Sequence, residues 1–459
     1  MKQFYSSLLV STCCIALSIT SFARGADIPQ TIRDEIKKRV DGEKTVGIII
    51  AITDGKSTEY FGYGKTSSAS SAAPSKRSVF EIGSISKVFT AILLADAVNR
   101  GEVKYDDPIE KYLPEGVKAP TKDGKSITLE TLSIQTSGLP RMPSNFRPKD
   151  PTNPFADYTV EQLYEYLGKV KLRRGVGEKY AYSNVGVGLL GHILERATGQ
   201  TYEELVVSRI SNVLKMPDTT ITLSEDMLKR LAKGHSGDQE VPNWDLPVLA
   251  GAGALRSTAE DMLVFLEANM GVRKTPLLKA MRKTHKSRAN AGSPLMDIGL
   301  GWHIRKATKG QDVVWHNGGT GGYRTFAGFI QDPPLGVVVL TNSTGAGDDD
   351  LGFNLLNDSL PLAKFTPRDT TTVKTSLLEK YVGKYQLAPG FQFEVKLKGD
   401  RLLVKLTGQD FNPVFPESDV KFFYKVVDAQ ITFHTDDDGN VSALTLHQNG
   451  RDQKAQKID

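Results

Sequence analysis

The sequence predicts an α+β domain followed by a small all-β domain. Strand-like segments stand at both ends of the first 360 residues, and helix-like segments fill the region between them. Strands and helices in separate runs, rather than in regular alternation, are typical of α+β layered domains. After residue 376 the pattern changes to short runs in which apolar and polar residues alternate, which indicates antiparallel strands.

The first 23 residues have the features of a secretory signal peptide. Lys2 precedes an apolar stretch over about residues 8–19, and small residues follow up to Ala23. This order predicts export and cleavage after Ala23. We therefore expect a periplasmic or secreted protein with no stable membrane span after cleavage. An uncleaved anchor is the alternative, and lipidation at Cys13 is less favoured because Thr12 is a poor residue before a lipidated cysteine.

Composition excludes several kinds of chemistry. Cys13 and Cys14 both lie in the predicted signal peptide, so we expect no disulfide, catalytic thiol or cysteine-bound zinc in the mature chain. Removal of Lys2 changes the formal net charge from +5 to 5 − 1 = +4, and charges of both signs are interspersed. We expect no nucleic-acid partner. The seven histidines are scattered without a His-x-x-x-His pair, so we expect no metal or other cofactor.

The α+β domain begins with a predicted hairpin and a predicted helix. Residues 46–63 hold two β-rich runs around the turn Asp54-Gly55-Lys56. Residues 84–100 carry apolar side chains three or four positions apart and end at Gly101, which predicts an amphipathic helix. Residues 102–158 are rich in Pro, Gly, Asp and Lys and predict long loops with short helices.

The rest of this domain continues with helices and then returns to strands. Ser257 and Glu260 have the spacing of a capping box that opens a helix to about Met270. Other helices are predicted over about 160–168, 185–197, 201–213 and 349–360. Strands are predicted over 312–316, 323–330 and 335–342. Strands at both ends predict one sheet assembled from both ends of the domain, with a helical insert between them.

A Thr-rich linker is predicted over residues 364–376, between an α+β domain at 24–363 and a β domain at 377–459. The β domain contains the runs KYQLA, FQFEVKLKG, RLLVKLTG, KFFYKVV, AQITFHTD and VSALTLHQ, separated by Gly, Asp and Pro. This pattern predicts a meander that forms a small sandwich or barrel.

Ser84 and Lys87, in the stretch FEIGSISKVFT, are the first candidate catalytic residues. A spacing of three on a helix puts both side chains on one face, about 4.5 Å apart along the axis. A serine at a helix start feels the positive end of the dipole, and a desolvated lysine can act as its base. Serine is also a common N-cap, so the pattern alone is weak. A second match, Ser418 to Lys421, falls in the β region, and Ser86 lies on a different face.

The second candidate pair is Tyr182 and Asn184 in KYAYSNVGVGLLG, which is the only Tyr-x-Asn in the chain. A tyrosine beside a lysine can shuttle the proton of a serine. An asparagine can hold the lysine and a substrate amide by hydrogen bonds. The alternative is a buried tyrosine followed by an asparagine N-cap, because a helix starts just after this segment.

The third candidate is His316-Asn317-Gly318-Gly319, at the end of a predicted strand. Glycines at a strand end let a substrate backbone approach closely, and a polar histidine there can face a carboxylate or a leaving group. The alternative is a hairpin turn with an incidental histidine. His235-Ser236-Gly237, in a polar loop, shows that the His-x-Gly pattern is not specific.

Together, the three motifs resemble the serine β-lactamase-like and penicillin-binding-protein family, on its class C side. The resemblance covers roughly residues 30–360, and QTSGLP at 135–140 and GAGALRSTAEDM at 251–262 are also similar. It implies a β-lactamase-like antiparallel sheet flanked by helices, with an all-helical subdomain and the site between them. The C-terminal β domain resembles the lipocalin-like appendage of some of these hydrolases.

The resemblance also implies a role for each candidate residue. The acyl transfer would be carried out by a nucleophile, Ser84, and a proton-transfer pair, Lys87 and Tyr182. Substrate binding is implied for Asn184, His316, Gly318 and Gly319. The N–H groups of Ser84 and Gly319 would form the oxyanion hole.

The sequence departs from the class C β-lactamases at the third motif, where they carry Lys-Thr-Gly and this chain has His-Asn-Gly. A mostly neutral His316 would bind a carboxylate less firmly than a lysine. We therefore expect D-alanyl-D-alanine-type peptides, or related amides and esters, to be better substrates than β-lactams, which would act as acylating agents. If the imidazolium form recognises carboxylates, binding should weaken between about pH 5.5 and 7.5.

Three alternatives remain at this point. The protein could be a class C-type β-lactamase, a family VIII-type carboxylesterase, or a non-enzymatic penicillin-binding sensor or scaffold. The complete set of three motifs favours an enzyme, with a small-molecule or peptide substrate.

Overall fold

The computed structural model of this protein describes residues 25–345, 348–409, 411–425, 427, 429–448 and 450–458. The predicted signal peptide, with Cys13 and Cys14, lies outside these residues. Within the described ranges, no helix is both long enough and apolar enough to cross a membrane.

The strands of the first domain form one large antiparallel sheet and some two-stranded pairs. They are β1 (Gly47–Thr53), β2 (Thr58–Gly64), β3 (Val79–Glu81), β4 (Thr121–Lys122), β5 (Lys125–Ser126), β6 (Gly234–Ser236), β7 (Gln239–Val241), β8 (Arg256–Thr258), β9 (Ala289–Ser293), β10 (Met296–Ile298), β11 (His303–Arg305), β12 (Val313–Gly319), β13 (Arg324–Gln331) and β14 (Pro334–Thr341). The large sheet has the order β2-β1-β14-β13-β12-β11-β10-β9. The N-terminal hairpin pairs with the last strand, which confirms the prediction of one sheet built from both ends.

The helices are α1 (Gln30–Asp41), α2 (Ser86–Arg100), α3 (Leu129–Ser133), α4 (Val160–Lys169), α5 (Asn184–Thr198), α6 (Tyr202–Val206), α7 (Asn212–Leu214), α8 (Glu225–Lys229), α9 (Ala250–Gly253), α10 (Ala259–Met270), α11 (Leu278–Thr284), α12 (Asp349–Leu356) and α13 (Thr375–Tyr381). Short 3₁₀ turns cover Gly83–Ile85 and Ile109–Tyr112, and a π-helical segment, Val207–Ser211, joins α6 to α7.

Both faces of the large sheet are covered by helices. Successive side chains of a strand point to opposite faces, and all seven residues of β1 are buried. Ile48 and Ile50 belong to a core with residues of α1 and α12, whereas Ile49 and Ala51 belong to a core with residues of α2 and α10. A strand buried on both faces needs apolar residues at every position, which explains the run GIIIAIT.

Three of the predicted helices differ from the structure. The helix predicted over 201–213 is divided by the π-helical segment, and α12 ends at Leu356 rather than near residue 360. Ser257 is not the N-cap of α10: it pairs in β8, and Thr258 accepts the hydrogen bond from the Asp261 N–H at 3.1 Å. Adjacent Ser and Thr are both good N-caps, and the pairing of β8 with β3 selects the second.

The C-terminal domain is a closed barrel of eight antiparallel strands in sequence order. The strands are β15 (Gly383–Ala388), β16 (Phe391–Lys398), β17 (Arg401–Leu406), β18 (Asn412–Pro416), β19 (Lys421–Tyr424), β20 (Ala429–Thr435), β21 (Val441–Gln448) and β22 (Arg451–Lys457). Pairing of β15 with β22 closes the barrel. Inward side chains such as Tyr385, Phe393 and Val404 are buried and fill its interior. The predicted all-β, lipocalin-like domain is therefore confirmed as a barrel.

Among the described residues, two ion pairs join the barrel to the first domain. Arg401 of β17 pairs with Asp238 at 2.9 Å, and Lys425 pairs with Glu43. Partly exposed ion pairs of this kind contribute at most about 1 kcal/mol each. A cavity of about 1070 Å³ lies between the domains and is lined by residues of both, but by none of the predicted site residues.

We expect a chain that ends at Thr366 to fold and to keep hydrolase activity. The described core residues of the barrel are separate from those of the first domain, and Val373, which the sequence placed in the linker, packs with the barrel core. Phe365 lies against Gly42, so the shortened chain should retain it. Thermal melting and ester hydrolysis would test this. An insoluble or inactive truncated protein would show that the barrel completes the first domain's core or cleft.

Candidate active site

Ser84 is the one residue of the segment 78–97 that is not buried. It lies in the 3₁₀ turn Gly83–Ile85, which leads directly into α2. Side chains three residues apart eclipse one another in such a turn, and Nζ of Lys87 lies 3.0 Å from Oγ of Ser84. The structure thus brings together the predicted pair, with the serine on the turn before the α-helix rather than inside it.

Lys87 is fully buried, although its side chain ends in an amine. Its Nζ donates a hydrogen bond to the carbonyl oxygen of Ala252 at 2.6 Å, so the GAGALRSTAEDM segment supplies its acceptor. Burial, and secondarily the charge of Arg141, lowers the pKa of Lys87 well below its ordinary value of 10.5. A neutral amine has a lone pair that can accept the proton of a serine hydroxyl.

Tyr182 completes the group around Ser84. Nζ of Lys87 lies 4.9 Å from the centroid of its ring, and its hydroxyl is within hydrogen-bonding reach of Ser84. Burial raises the pKa of Tyr182 to about 12, against the opposing effects of the Ser84 hydrogen bond and the Arg141 charge. At neutral pH the phenol is therefore protonated and can donate a proton.

The QTSGLP segment holds Tyr182 in place. The side-chain oxygen of Gln135 accepts a hydrogen bond from the Ser183 N–H at 2.7 Å, and its carbonyl oxygen accepts one from the Ala181 N–H at 2.7 Å. Ser183 is the N-cap of α5, because its Oγ accepts from the Gly186 N–H at 2.9 Å. The alternative in which Asn184 is the N-cap is therefore wrong.

Glycines let the Ser84 turn pack directly against β12. Gly83 has φ +51°, a left-handed conformation that favours glycine, and a Cβ on it would lie 2.7 Å from the Gly319 nitrogen. A Cβ on Gly318 would lie 2.0 Å from the carbonyl oxygen of Ile82. The predicted role of Gly318 was close approach of a substrate. The structure shows that this glycine admits the turn that carries the serine.

His316 is buried on β12, with its ring centroid 6.2 Å from that of Tyr182 and 5.1 Å from that of His303. Its Nδ1 lies 2.5 Å from the carbonyl oxygen of Asn317. A carbonyl oxygen can only accept, so Nδ1 carries the hydrogen and Nε2 of the neutral ring is an acceptor. Burial, followed by the charges of His303 and Lys87, keeps the pKa of His316 well below 6.5.

These properties bear on the expected carboxylate contact of His316. Burial lowers the pKa of the ring, which disfavours the imidazolium form on which a pH-dependent carboxylate site would depend. In its neutral form Nε2 also has no hydrogen to donate to a carboxylate.

Some buried polar atoms of the motif residues and their neighbours have no hydrogen-bond partner among the described residues. They include Oδ1 of Asn184, Nδ1 of His303, Nε2 of His316 and Oγ1 of Thr320. Buried polar atoms are nearly always paired, and unpaired ones beside a reactive serine suit contact with a substrate. The described hydrogen bonds of Asn184 do not include Lys87. Its side-chain amide instead donates to the sulfur of Met142 at 3.7 Å.

The two competing serines are elsewhere. Ser86 is fully buried, and its Oγ accepts a hydrogen bond from the Leu255 N–H at 3.1 Å, so it joins α2 to the segment before β8. Ser418 is an exposed turn residue of the barrel, whose Oγ accepts from the Lys421 N–H. Neither serine is among the described hydrogen-bond partners of the Lys87 amine, which are Ser84 and Ala252.

Arg141 is a residue that sequence reasoning missed. Its guanidinium carbon lies 5.1 Å from the Tyr182 ring centroid, and its backbone carbonyl oxygen accepts from the N–H of Asn184 at 2.9 Å. It directly follows QTSGLP in the sequence. This adjacency was the available signal, but a lone arginine in a loop carries no motif.

A partly exposed serine beside a buried lysine and a half-buried tyrosine, on an α+β domain with one large antiparallel sheet, is an arrangement typical of serine hydrolases. The profile of the Beta-lactamase family matches residues 32–358. The D-alanyl-D-alanine-carboxypeptidase/endopeptidase AmpH of Escherichia coli (strain K12) is 31% identical over 356 residues, which cover 73% of this chain and 91% of that protein. The chain therefore belongs to the beta-lactamase family and is a serine hydrolase.

Other relatives agree with this assignment. The Beta-lactamase of Pseudomonas fluorescens is 26% identical, over 69% of this chain and 94% of that protein. A crystal structure of Beta-lactamase/D-alanine Carboxypeptidase from Yersinia pestis complexed with citrate has a TM-score of 0.61 at 25% identity, covering 68% of this chain and 92% of that chain. Residues 367–457 match a domain of unknown function, DUF3471. Among the described residues, no group of three or more His, Cys, Asp or Glu has the arrangement of a metal site.

Proposed function

We propose that this protein hydrolyses D-alanyl-D-alanine-type peptides, or related amides and esters, through an acyl-enzyme on Ser84. The observation that carries the proposal is the 3.0 Å separation between Oγ of the accessible Ser84 and Nζ of the buried Lys87. The similarity to the carboxypeptidase/endopeptidase AmpH supports this class of substrate. The export signal predicted from the sequence is consistent with a substrate outside the cytoplasm.

The first half of the reaction forms an ester. Oγ of Ser84 attacks the substrate carbonyl carbon while its proton passes to the neutral amine of Lys87. The N–H groups of Ser84 and Gly319 stabilise the negative oxygen of the tetrahedral intermediate. The carbon–nitrogen bond then breaks, and the leaving amine takes a proton from Tyr182, which is reprotonated by Lys87.

The second half of the reaction releases the acid. A water molecule gives a proton to the Lys87–Tyr182 pair and attacks the ester carbonyl carbon. The ester bond breaks, Ser84 recovers its proton from the pair, and the shortened peptide leaves as a carboxylic acid. During both halves, Nε2 of His316 can accept a hydrogen bond from a substrate N–H, because its neutral form has a free lone pair there.

Hydrolysis of β-lactams is the second candidate function, because the Pseudomonas fluorescens Beta-lactamase is a relative. A β-lactam would acylate the same serine. The buried, uncharged His316 lacks the fixed charge that a lysine offers to the β-lactam carboxylate. We therefore propose that penicillin acylates Ser84 slowly, because the lysine contact to its carboxylate is missing at this position. Two alternatives remain. A carboxylesterase is still compatible with the site, whereas membership of a hydrolase family does not favour a non-enzymatic sensor or scaffold.

Three probes test the substrate class: a D-Ala-D-Ala peptide, a short-chain p-nitrophenyl ester and a chromogenic cephalosporin. We expect kcat/KM for the peptide or the ester to exceed that for the cephalosporin. His316→Lys should raise cephalosporin turnover by roughly tenfold, the size of one added charge-assisted hydrogen bond. His316→Asn is the uncharged control, and thermal melting checks that both variants fold. A wild-type protein that hydrolyses the cephalosporin fastest would overturn the proposal in favour of a β-lactamase.

A further inference from the structure

Arg141 presents an unpaired positive charge at the rim of the site. The residue is exposed, and its guanidinium carbon lies 5.1 Å from the centroid of the Tyr182 ring. No carboxylate forms an ion pair with it among the described residues. Its backbone is nevertheless held firmly, because its carbonyl oxygen accepts from the N–H groups of Asn184 and Val185 at the start of α5, at 2.9 and 3.3 Å. A fixed backbone with a free guanidinium suits the binding of an anion.

The other cationic and polar groups near Ser84 are unsuited to a carboxylate. Lys87 is buried, its amine already donates hydrogen bonds to Ser84 and Ala252, and burial lowers its pKa, which disfavours the charged form. Neutral His316 offers only an acceptor at Nε2. Arg324, next to Gly319 in the sheet register, donates from Nη1 to the carbonyl oxygens of Thr320 and Tyr323. Arg324 thus has one guanidinium nitrogen bound to backbone carbonyls, whereas no described hydrogen bond or ion pair uses the guanidinium of Arg141, which lies over the Tyr182 ring.

Arg141 lies on the side of the site where the leaving group of the substrate would be. In the proposed reaction Tyr182 gives its proton to the leaving amine, so the leaving residue lies beside Tyr182, the ring that Arg141 covers. When the leaving group is a single D-amino acid, its carboxylate is attached to the same Cα as the leaving nitrogen, so it lies only a few bonds from the cleaved bond. A guanidinium that covers the Tyr182 ring is then on the leaving-group side of the site.

We propose that Arg141 binds the carboxylate of the leaving group, so that the protein prefers substrates whose leaving residue has a free C-terminal carboxylate. This inference rests on the proposed function and deepens it, because it assigns carboxypeptidase rather than endopeptidase preference. It also explains how a chain with histidine in place of the family lysine can still bind an acidic substrate: the charge comes from a loop next to α5 and not from the sheet.

Two matched peptides test this proposal: one D-Ala-D-Ala peptide with a free C-terminal carboxylate and the same peptide as its C-terminal amide. In the wild type we expect kcat/KM to be roughly 10- to 100-fold higher for the free acid, the range of a hydrogen bond to a charged group. In Arg141→Gln this ratio should fall towards one, mainly through a higher KM for the acid. Arg141→Lys should keep part of the preference. Arg282→Gln, an exposed arginine on α11, is the control.

If Arg141 acts only through the pKa of Lys87, and not by binding a carboxylate, the same variants give a different result. Its charge also lowers the pKa of Lys87, so its removal should move the acid limb of the pH profile upwards for both peptides. If Arg141→Gln changes acid and amide equally, with only this shift, the carboxylate proposal is overturned.

The same comparison with penicillin separates the inference from the proposed function. If neither peptide is hydrolysed, the proposed substrate class fails, and acylation rates by benzylpenicillin and its methyl ester become the readout. A preference for the free acid that disappears in Arg141→Gln supports Arg141 as the carboxylate-binding residue. Equal rates for acid and ester in the wild type overturn it.

Discussion

Replacement of Ser84 by alanine is expected to abolish covalent labelling by a fluorescent penicillin or fluorophosphonate, and to reduce kcat/KM by about 10⁴- to 10⁶-fold. Ser84 is the one accessible residue of a buried segment, and its Oγ lies against the amine of Lys87. Without the hydroxyl there is no group to form the ester, and only binding and the oxyanion hole remain. Gel fluorescence with intact-protein mass spectrometry would measure the label directly.

Two control variants sharpen this experiment. Ser418→Ala changes an exposed turn residue of the barrel and should leave labelling unchanged. Ser86→Ala should also retain the label, but it leaves the buried N–H of Leu255 without its acceptor and should cost about 1–3 kcal/mol of stability. Persistent labelling of the Ser84→Ala protein would mean that another residue is the nucleophile.

Lys87→Met and Tyr182→Phe are each expected to reduce kcat/KM by about 10²- to 10⁴-fold, the usual range for general acid–base catalysis. Both residues belong to one proton relay: the neutral amine accepts a proton from Ser84, the phenol gives its own proton to the leaving group, and the amine then reprotonates the phenol. The double variant should therefore lose much less than the product of the two single losses. Losses that multiply fully would indicate independent roles.

The pH dependence and the stability of these variants provide independent checks. The reaction needs neutral Lys87, so activity should fall as pH drops through its lowered pKa, and Lys87→Met should lack this acid limb. Between that pKa and 10.5 the unfolded chain binds more protons than the folded chain, so the contribution of Lys87 to stability improves as pH rises and is unfavourable at neutral pH. Lys87→Met should therefore melt no lower than the wild type at pH 7, which would exclude unfolding as the cause of lost activity.

Much of the fold was predictable because its strongest elements have local signals. The buried run of β1 and the apolar spacing of α2 gave strands and helices in nearly the right places. Weaker elements were missed for identifiable reasons. β18 contains two prolines, β22 is the polar sequence RDQKAQK, and β9 to β11 are short. These strands form because neighbouring strands supply their hydrogen bonds, and a sequence pattern shows little of that.

The candidate site was predicted in its residues but not in all of its contacts. The spacing of three residues was enough to predict the contact between Ser84 and Lys87. By contrast, the acceptor for the lysine amine is Ala252, which is 165 residues away. Asn184 was expected to hold this lysine, yet its described hydrogen bond goes to Met142. Arg141 was missed because nothing in a single loop residue indicates that it will lie over Tyr182.

By itself, the sequence determined the fold class, the family resemblance and the chemical types of the candidate site, because each was predicted from short motifs or local patterns. Only the tertiary structure decided the protonation states on which the mechanism depends. Whether Lys87 is neutral, Tyr182 protonated and His316 an acceptor depends on desolvation and on neighbours brought from distant segments. A pKa is a property of the surroundings of a group in space, so the same three residue types in another packing would perform different chemistry.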